Sequence, residues 1–339
     1  MRLKSHTPEV VSLILSAILL FYCEIYTYST QARYWKYAYL ACQESNTCVK
    51  VIAIANPKVL GDFWHPWTFT RWDADRYLRS SYSSMVQAMK PDVVTILGDL
   101  IDEGFNGNEQ TIARYHERFD SIFDSNLVPL IALAGDTDIG GHGQWDMQEF
   151  HKVHRFQKWK QEVNNQTSLH GIEFVTVNTL AFTAKKKNAE TIKPANMFLD
   201  SYAPLNDFTI FLSHMPLEKL SDTRRETLMD KISPDLILAG HSEESTESIV
   251  VHREEKTVQW VAPTFSYKTS YARNGFIAIL IDTKTQEYTV TENWMSERQP
   301  SLELYKFWLG CLAAVAAYRL FSSYYGQNRR PIKTHRQSH

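Results

Sequence analysis

Five short apolar runs each end in residues able to hold a metal ion or move a proton. The ends read Asn56-Pro57-Lys58, Gly98-Asp99, Gly135-Asp136-Thr137-Asp138, Ser213-His214 and Gly240-His241-Ser242-Glu243. Aspartates combined with imidazoles suit a divalent transition metal such as Mn, Fe or Zn. A carboxylate can bridge two such ions, and the pair would clamp a phosphoryl group for in-line attack. One Asp or His at a strand end is most often a cap or turn residue. Five in order, each on its own apolar run, point to a shared site.

The elements that must position them alternate. VKVIAIA (49–55), DVVTILGD (92–99), VPLIALAGD (128–136), FTIFLSH (208–214) and DLILAGH (235–241) read as buried strands. Amphipathic stretches at 73–90 and 146–163 read as helices between them. That order predicts strand-helix-strand units and a largely parallel sheet, whose ligands gather at the carboxyl ends of the strands. Beyond residue 245 the helical pattern stops. SIVVHR, TVQWVAP, GFIAILID and EYTVTENW read as strands of a second sheet packed on the first.

The motif order resembles the calcineurin-like metallophosphoesterase superfamily: D-x-H, G-D-x-x-D, G-N-H-D, a strand-end His, then G-H-x-H. GDLIDEG (98–104) matches the second motif. VLGDFWHPW, GDTDIGGH, APTFSY (262–267) and LLFYCE narrow the resemblance to the metallophosphoesterase 1 family over roughly residues 10–320. It implies a four-layer α/β sandwich, two manganese or other divalent ions, and an ethanolamine-phosphate substrate on glycosylphosphatidylinositol (GPI) anchors. It also implies residence in the ER, ER exit sites or Golgi, with GPI-anchored proteins as partners.

Carried over residue by residue, the first metal position falls on Asn56, Lys58, Asp99 and Glu243, of which three have changed type. The second falls on Asp99, Asp136, His214 and His241, all still able to ligate. Asn56 and Glu243 are accordingly weak ligand candidates, and one ion or none is expected. Neutral Asn56, cationic Lys58 and anionic Glu243 sum to zero without a metal. Lys58 is therefore expected to take the vacant first-metal position and pair with Glu243, with Asp99 as a further partner; a protonated lysine cannot itself ligate. A lysine reaching solvent from a loop is the bland alternative. Thr137 stands at the family's general-acid position and cannot act as an acid near neutral pH, which leaves His142 as a possible substitute. Trp64, His65, Trp67, Trp72 and Arg76 are candidates for substrate contact, or else cap the sheet. Two functions follow: a phosphodiesterase, or a pseudoenzyme that binds GPI-anchored cargo or a membrane partner.

The chain's 339 residues carry a net charge of −2, so no basic field argues for nucleic acid. Val10–Tyr28 is apolar enough for a helix of roughly 28 Å, close to a hydrocarbon core. An uncleaved anchor is expected there, since no small-residue cleavage site follows; a signal peptide is the rival. Residues 304–325 form a second expected span, with Arg319 interrupting its end and an interfacial amphipathic helix as the alternative. Basic residues flank both segments, which puts residues 1–9 and the tail 326–339 in the cytosol and 29–303 in the lumen. Glu24 is expected at the interface. Cys42 and Cys48 are close enough for a disulfide there, and Asn165-Gln166-Thr167 is a usable glycosylation sequon.

Overall fold

A computed structural model describes residues 7–42, 44, 47–268 and 273–328. The basic residues expected in the cytosol, Arg2, Lys4, Arg329, Arg330, Lys333 and Arg336, lie outside these. The chain divides into a body, residues 28–296, and a unit of the two ends, residues 1–27 with 297–339.

The body holds eleven strands among its described residues. They are β1 (Cys48–Ile54), β2 (Val93–Ile96), β3 (Leu130–Ala132), β4 (Asn165–Leu169), β5 (Ile172–Thr176) and β6 (Phe208–Ser213). β7 (Leu236–Ala239), β8 (Thr246–His252), β9 (Glu255–Val261), β10 (Gly275–Asp282) and β11 (Tyr288–Trp294) follow. One sheet runs β11-β10-β1-β2-β3, the other β4-β5-β6-β7-β9-β8. β1, β2 and β3 are mutually parallel, as are β5, β6, β7 and β9.

Alternation along each strand builds the layers. Val49, Val51 and Ala53 of β1 face Phe174, Ile210 and Leu238 of the opposite sheet. Ile52 and Ile54 point the other way, onto Leu78, Tyr82 and Met85 of the helix Thr68–Met89 and onto Phe119 of the helix Glu109–Ile122. Across the molecule Val175, Phe211 and Ile237 pack on Leu199 and Met229 of the helices Ala189–Ser201 and Asp222–Ile232. Helices, sheet, sheet and helices form four layers. The central strands are buried on both faces, which is why β7 reads as an unbroken apolar run and β2 is broken only by buried Thr95.

One expectation needs correction, and one element was missed. The four late strands do not form a sheet of their own: β8 and β9 extend the β6–β7 sheet, while β10 and β11 close the edge beside β1. Local patterning identifies a strand but not its neighbour, because pairing is decided by which edge remains open. The hairpin β4–β5 was not anticipated. β4 is the polar sequence NQTSL, with no alternation to betray it, and the sequon lies on it. Cys42 and Cys48 form the expected disulfide.

The second unit contains the helix Thr7–Phe21, continued by a π-helical turn Tyr22–Tyr26, and the helix Gln299–Asn328. Both helices are long and apolar enough to cross a membrane, over Glu9–Ala32 and Gln299–Tyr325. Arg298 pairs with Glu24 at 3.0 Å, and the Tyr305 hydroxyl donates to the same carboxylate. Arg319 pairs with Glu9 at 2.7 Å. Charges in apolar segments are tolerated when partnered in this way.

Candidate metal centre

The carboxyl ends of β1, β2, β3, β6 and β7 converge as their parallel pairing requires. The first two exits are zipped together: Asn56 N–H donates to Gly98 O at 3.2 Å, Lys58 N–H to Asp99 O at 3.0 Å, and Val59 N–H to Leu100 O at 2.9 Å. Asn56, Lys58, Asp99 and His241 all take left-handed backbone conformations, with φ of 49°, 44°, 55° and 62°. Such residues cost about 1–3 kcal/mol each and persist where surrounding structure over-determines them. Gly98, at φ 92°, has no such cost, and a Cβ there would lie 2.3 Å from the His214 ring. The strand exits hold a site geometry in both halves, whatever side chains they now carry.

Three side chains gather tightly. Asp136 Oδ1 lies 3.0 Å from His214 Nε2 and 3.1 Å from His241 Nδ1. One ligand atom from each of the three falls within 4.8 Å of the others. Asp99 Oδ1 is 3.5 Å from His214 Nε2. His214 is anchored from behind, its Nδ1 donating to Leu97 O at 2.7 Å, so that Nε2 faces the cluster. Burial opposes the charge of His214, but Asp99 and the Asp136 bond outweigh it and raise its pKa. Burial likewise opposes ionisation of Asp136, yet the two histidines hold its carboxyl below the usual range. An anion held between two imidazoles and beside a second carboxylate fits a divalent ion that takes mixed N and O donors. This is the donor set expected at the second metal position.

The other half is different in kind. Lys58 Nζ lies 3.4 Å from Asp99 Oδ2, with its side chain 26% exposed. Burial, the largest influence, opposes its charge; Asp99, then Asp136 and Glu243, outweigh it and raise the pKa. The ammonium is thus held charged, and a charged ammonium has no lone pair to give. Asn56 is wholly buried, its Nδ2 donating to Ser242 O at 3.0 Å. Asn56 Oδ1 has no hydrogen-bond partner among the described residues. The ion pair forms with Asp99, while Glu243 acts on Lys58 through its charge. A second divalent ion does not fit beside that cation.

Thr137 donates through both N–H and Oγ1 to Asp99 Oδ1, at 3.1 and 3.0 Å. Its hydroxyl is occupied in orienting the shared carboxylate. His142 stands 4.7 Å from His241, ring centre to ring centre, nearly perpendicular. Burial, and then the neighbouring His241, lower its pKa and favour the neutral imidazole.

Two acids have positioning roles that the sequence reading did not assign. Asp138, wholly buried, accepts from Gly135 N, Leu100 N and Ile101 N at 2.8–3.0 Å, clamping the third strand exit to the second. Glu103 accepts from the backbone of Phe63 and Trp64 and from the Tyr115 hydroxyl. The spacing D-x-D in GDTD and the adjacent acid in DEG were the available signals. Among the expected contact residues, Trp64 is held by Glu103, His65 pairs with Asp102 at 3.3 Å, and Arg76 stacks over Trp72 at 5.4 Å.

The sequence pattern of the calcineurin-like phosphoesterase family matches residues 59–244. The chain belongs to the calcineurin-like phosphoesterase family. The match begins one residue past Lys58, where the altered first motif ends. Metallophosphoesterase 1 of Macaca fascicularis is 26% identical, covering 80% of this chain and 78% of that protein. Metallophosphoesterase 1 of Xenopus laevis is also 26% identical, covering 95% and 93%. Among solved structures, the 5'-nucleotidase precursor from Thermus thermophilus aligns with a TM-score of 0.39 and 11% identity, covering 79% of this chain and 59% of that one. Phosphoesterases of this family bind divalent metals, and the Asp136, His214 and His241 cluster is the partial site this member offers for one.

Proposed function

We propose that the chain is a one-ion phosphodiesterase of the early secretory membranes, with Lys58 serving as a fixed cation in place of the first metal. Its substrate is the ethanolamine-phosphate of GPI anchors, and its removal aids ER-to-Golgi transport of the anchored proteins. The body lies in the lumen of the ER, ER exit sites or Golgi, with both termini cytosolic. The observation that carries the reading is the ion pair of Lys58 with Asp99, 3.4 Å apart, beside an intact Asp136, His214 and His241 cluster. The likeness to metallophosphoesterase 1 supports the substrate class.

Asp99, Asp136, His214 and His241 would hold the ion, manganese in the first instance; when bound it supplies a Lewis acid for a phosphoryl oxygen. Lys58 offers a donor and a full positive charge to a second phosphoryl oxygen, beside the carboxylate that orients it. Thr137 fixes Asp99 and gives up no proton. His142, held neutral beside His241, can accept a proton from an attacking water, and the leaving alkoxide would take its proton from solvent.

A second reading rests on Thr137. With its hydroxyl bound to Asp99 and no acid at that position, the chain binds the same headgroup as a pseudophosphoesterase. The deciding measurement is a metal count and phosphodiester turnover on the full chain in detergent with manganese. One ion per chain, with turnover lost in both Lys58→Ala and His214→Asn, supports the one-ion enzyme. One ion with headgroup binding and no turnover supports the binder. Two tightly bound ions overturn both.

A further inference from the structure

Between the first two strand exits the chain displays aromatic side chains outward. Phe63 is 77% exposed, Trp64 52%, Trp67 77%, Phe69 68% and Trp72 55%. Five large aromatics this exposed within ten residues are more than the single scattered hydrophobics a surface ordinarily shows. The display is built. Glu103, itself 3% exposed, accepts from the backbone of Phe63 and Trp64. Gly61 makes room for that carboxylate, since a Cβ there would lie 2.0 Å from it. The Arg71 guanidinium donates to His65 O and pairs with Asp62 at 3.1 Å, bracing the loop from the other side. Phe69 and Trp72 contact each other, and Arg76 lies over Trp72, so positions 69, 72 and 76 form one outward stripe of the helix Thr68–Met89.

Tyr77, on the same helix, is fully buried and touches both points where the chain leaves the body for the apolar helices. Its ring packs on Tyr28 at 5.8 Å, and its hydroxyl donates to Ser296 O at 2.7 Å. Residues 28 and 296 are the first and last of the body. At about 1.5 Å per residue, Trp72 and Phe69 are only about 7.5 and 12 Å along the helix axis from Tyr77. Exposed Tyr34 follows just beyond the first apolar helix. Tryptophan and tyrosine beside arginine are the residues that settle at a bilayer's headgroup layer.

We infer that Phe63, Trp64, Trp67, Phe69 and Trp72 form a platform that rests in the headgroup layer of the membrane in which the chain is anchored. Through Tyr77 the platform is joined to the two residues at which the body begins and ends. It fixes the body against the bilayer. Its existence does not depend on whether the centre turns over.

The test uses the full chain carrying fluorotryptophan, reconstituted in phosphatidylcholine vesicles and observed by fluorine NMR. Trp64→Phe, Trp67→Phe and Trp72→Phe assign the signals. A spin label on the upper acyl chain is expected to abolish the Trp67 and Trp72 signals, together with that of Trp308 in the C-terminal helix. A water-soluble gadolinium chelate is expected to spare them and to abolish that of Trp145. In Trp67→Lys/Phe69→Lys the Trp72 signal should survive the lipid label, with buried Trp35 unchanged as proof of folding. Trp67 and Trp72 signals lost to the chelate and spared by the lipid label would overturn the platform. So would protection from the chelate that appears only on adding a soluble phosphoethanolamine-bearing glycan, which would assign the surface to sugar binding.

Discussion

The two halves of the metal centre share a backbone and differ in side chains. On one side His241 turns through a left-handed residue and joins Asp136 and His214 within hydrogen-bonding distance. On the other, Asn56 and Lys58 turn through the same conformation and present an amide and an ammonium. Asp99 belongs to both, touching Lys58 through one oxygen and Thr137 through the other. The difference teaches that one backbone frame can present either metal-binding side chains or a fixed cation. Backbone strain is fixed by strand pairing and inter-strand hydrogen bonds, whereas a ligand is lost with a single side chain.

The comparison can be pressed hardest by restoring the altered half. Asn56→Asp, Lys58→His, Thr137→His and Glu243→His combined should raise the metal count from one to two and phosphodiester turnover by about 10³-fold or more. If the native chain already turns over as well as this variant, the halves are functionally equal and the reading fails. Damage to the retained half comes next. His214→Asn should weaken manganese binding by about 10²-fold or more, since even loss of an outer partner of a ligand costs about 10- to 100-fold. Calorimetric titration of the full chain reads this directly, and unchanged affinity would move the ion elsewhere.

A smaller effect separates charge from ligation. Lys58→Met leaves Asp99, 3% exposed, beside Asp136 without its cation, and should destabilise the body by about 2 kcal/mol. Thermal melts of the full chain would show it, and a melt unchanged or raised would mean the ion pair contributes nothing. The smallest effect calibrates the others from outside the centre. His116, stacked on Trp159, has its pKa lowered to about 4 by burial and then by Arg155. The folded chain therefore binds fewer protons than the unfolded one between about 4 and 6.5. That share of stability is present above this window and lost as pH falls through it. His116→Gln should remove about 1 kcal/mol of the acid loss, after allowance for solvent screening. Acid melts identical to the native chain would place the whole loss elsewhere.

Much of the centre was legible because strand-end ligands obey a simple rule. An apolar run followed by Gly-Asp, Ser-His or Gly-His identifies both the strand and the direction its exit faces. That Asp99, Asp136, His214 and His241 converge was readable in that way. Pairing was not. Glu243 was the first partner expected for Lys58, with Asp99 second, and the backbone zipper from Asn56 to Val59 set it beside Asp99. The positioning roles of Asp138 and Glu103 went unassigned because nothing in the sequence says which backbone N–H groups a carboxylate will accept from. The hairpin β4–β5 escaped because NQTSL has no apolar face.

By itself the sequence determined the layered α/β class, the five strand exits and the presence of an amide and a lysine at the first of them. Those properties are local: periodicity, turn chemistry and residue type are set within a few positions of the chain. Tertiary structure alone decided which oxygen Lys58 meets, what the Thr137 hydroxyl binds, and that Tyr77 joins the exposed aromatics to both ends of the body. These depend on groups tens to hundreds of residues apart, brought together by sheet pairing and by burial that only the folded chain creates.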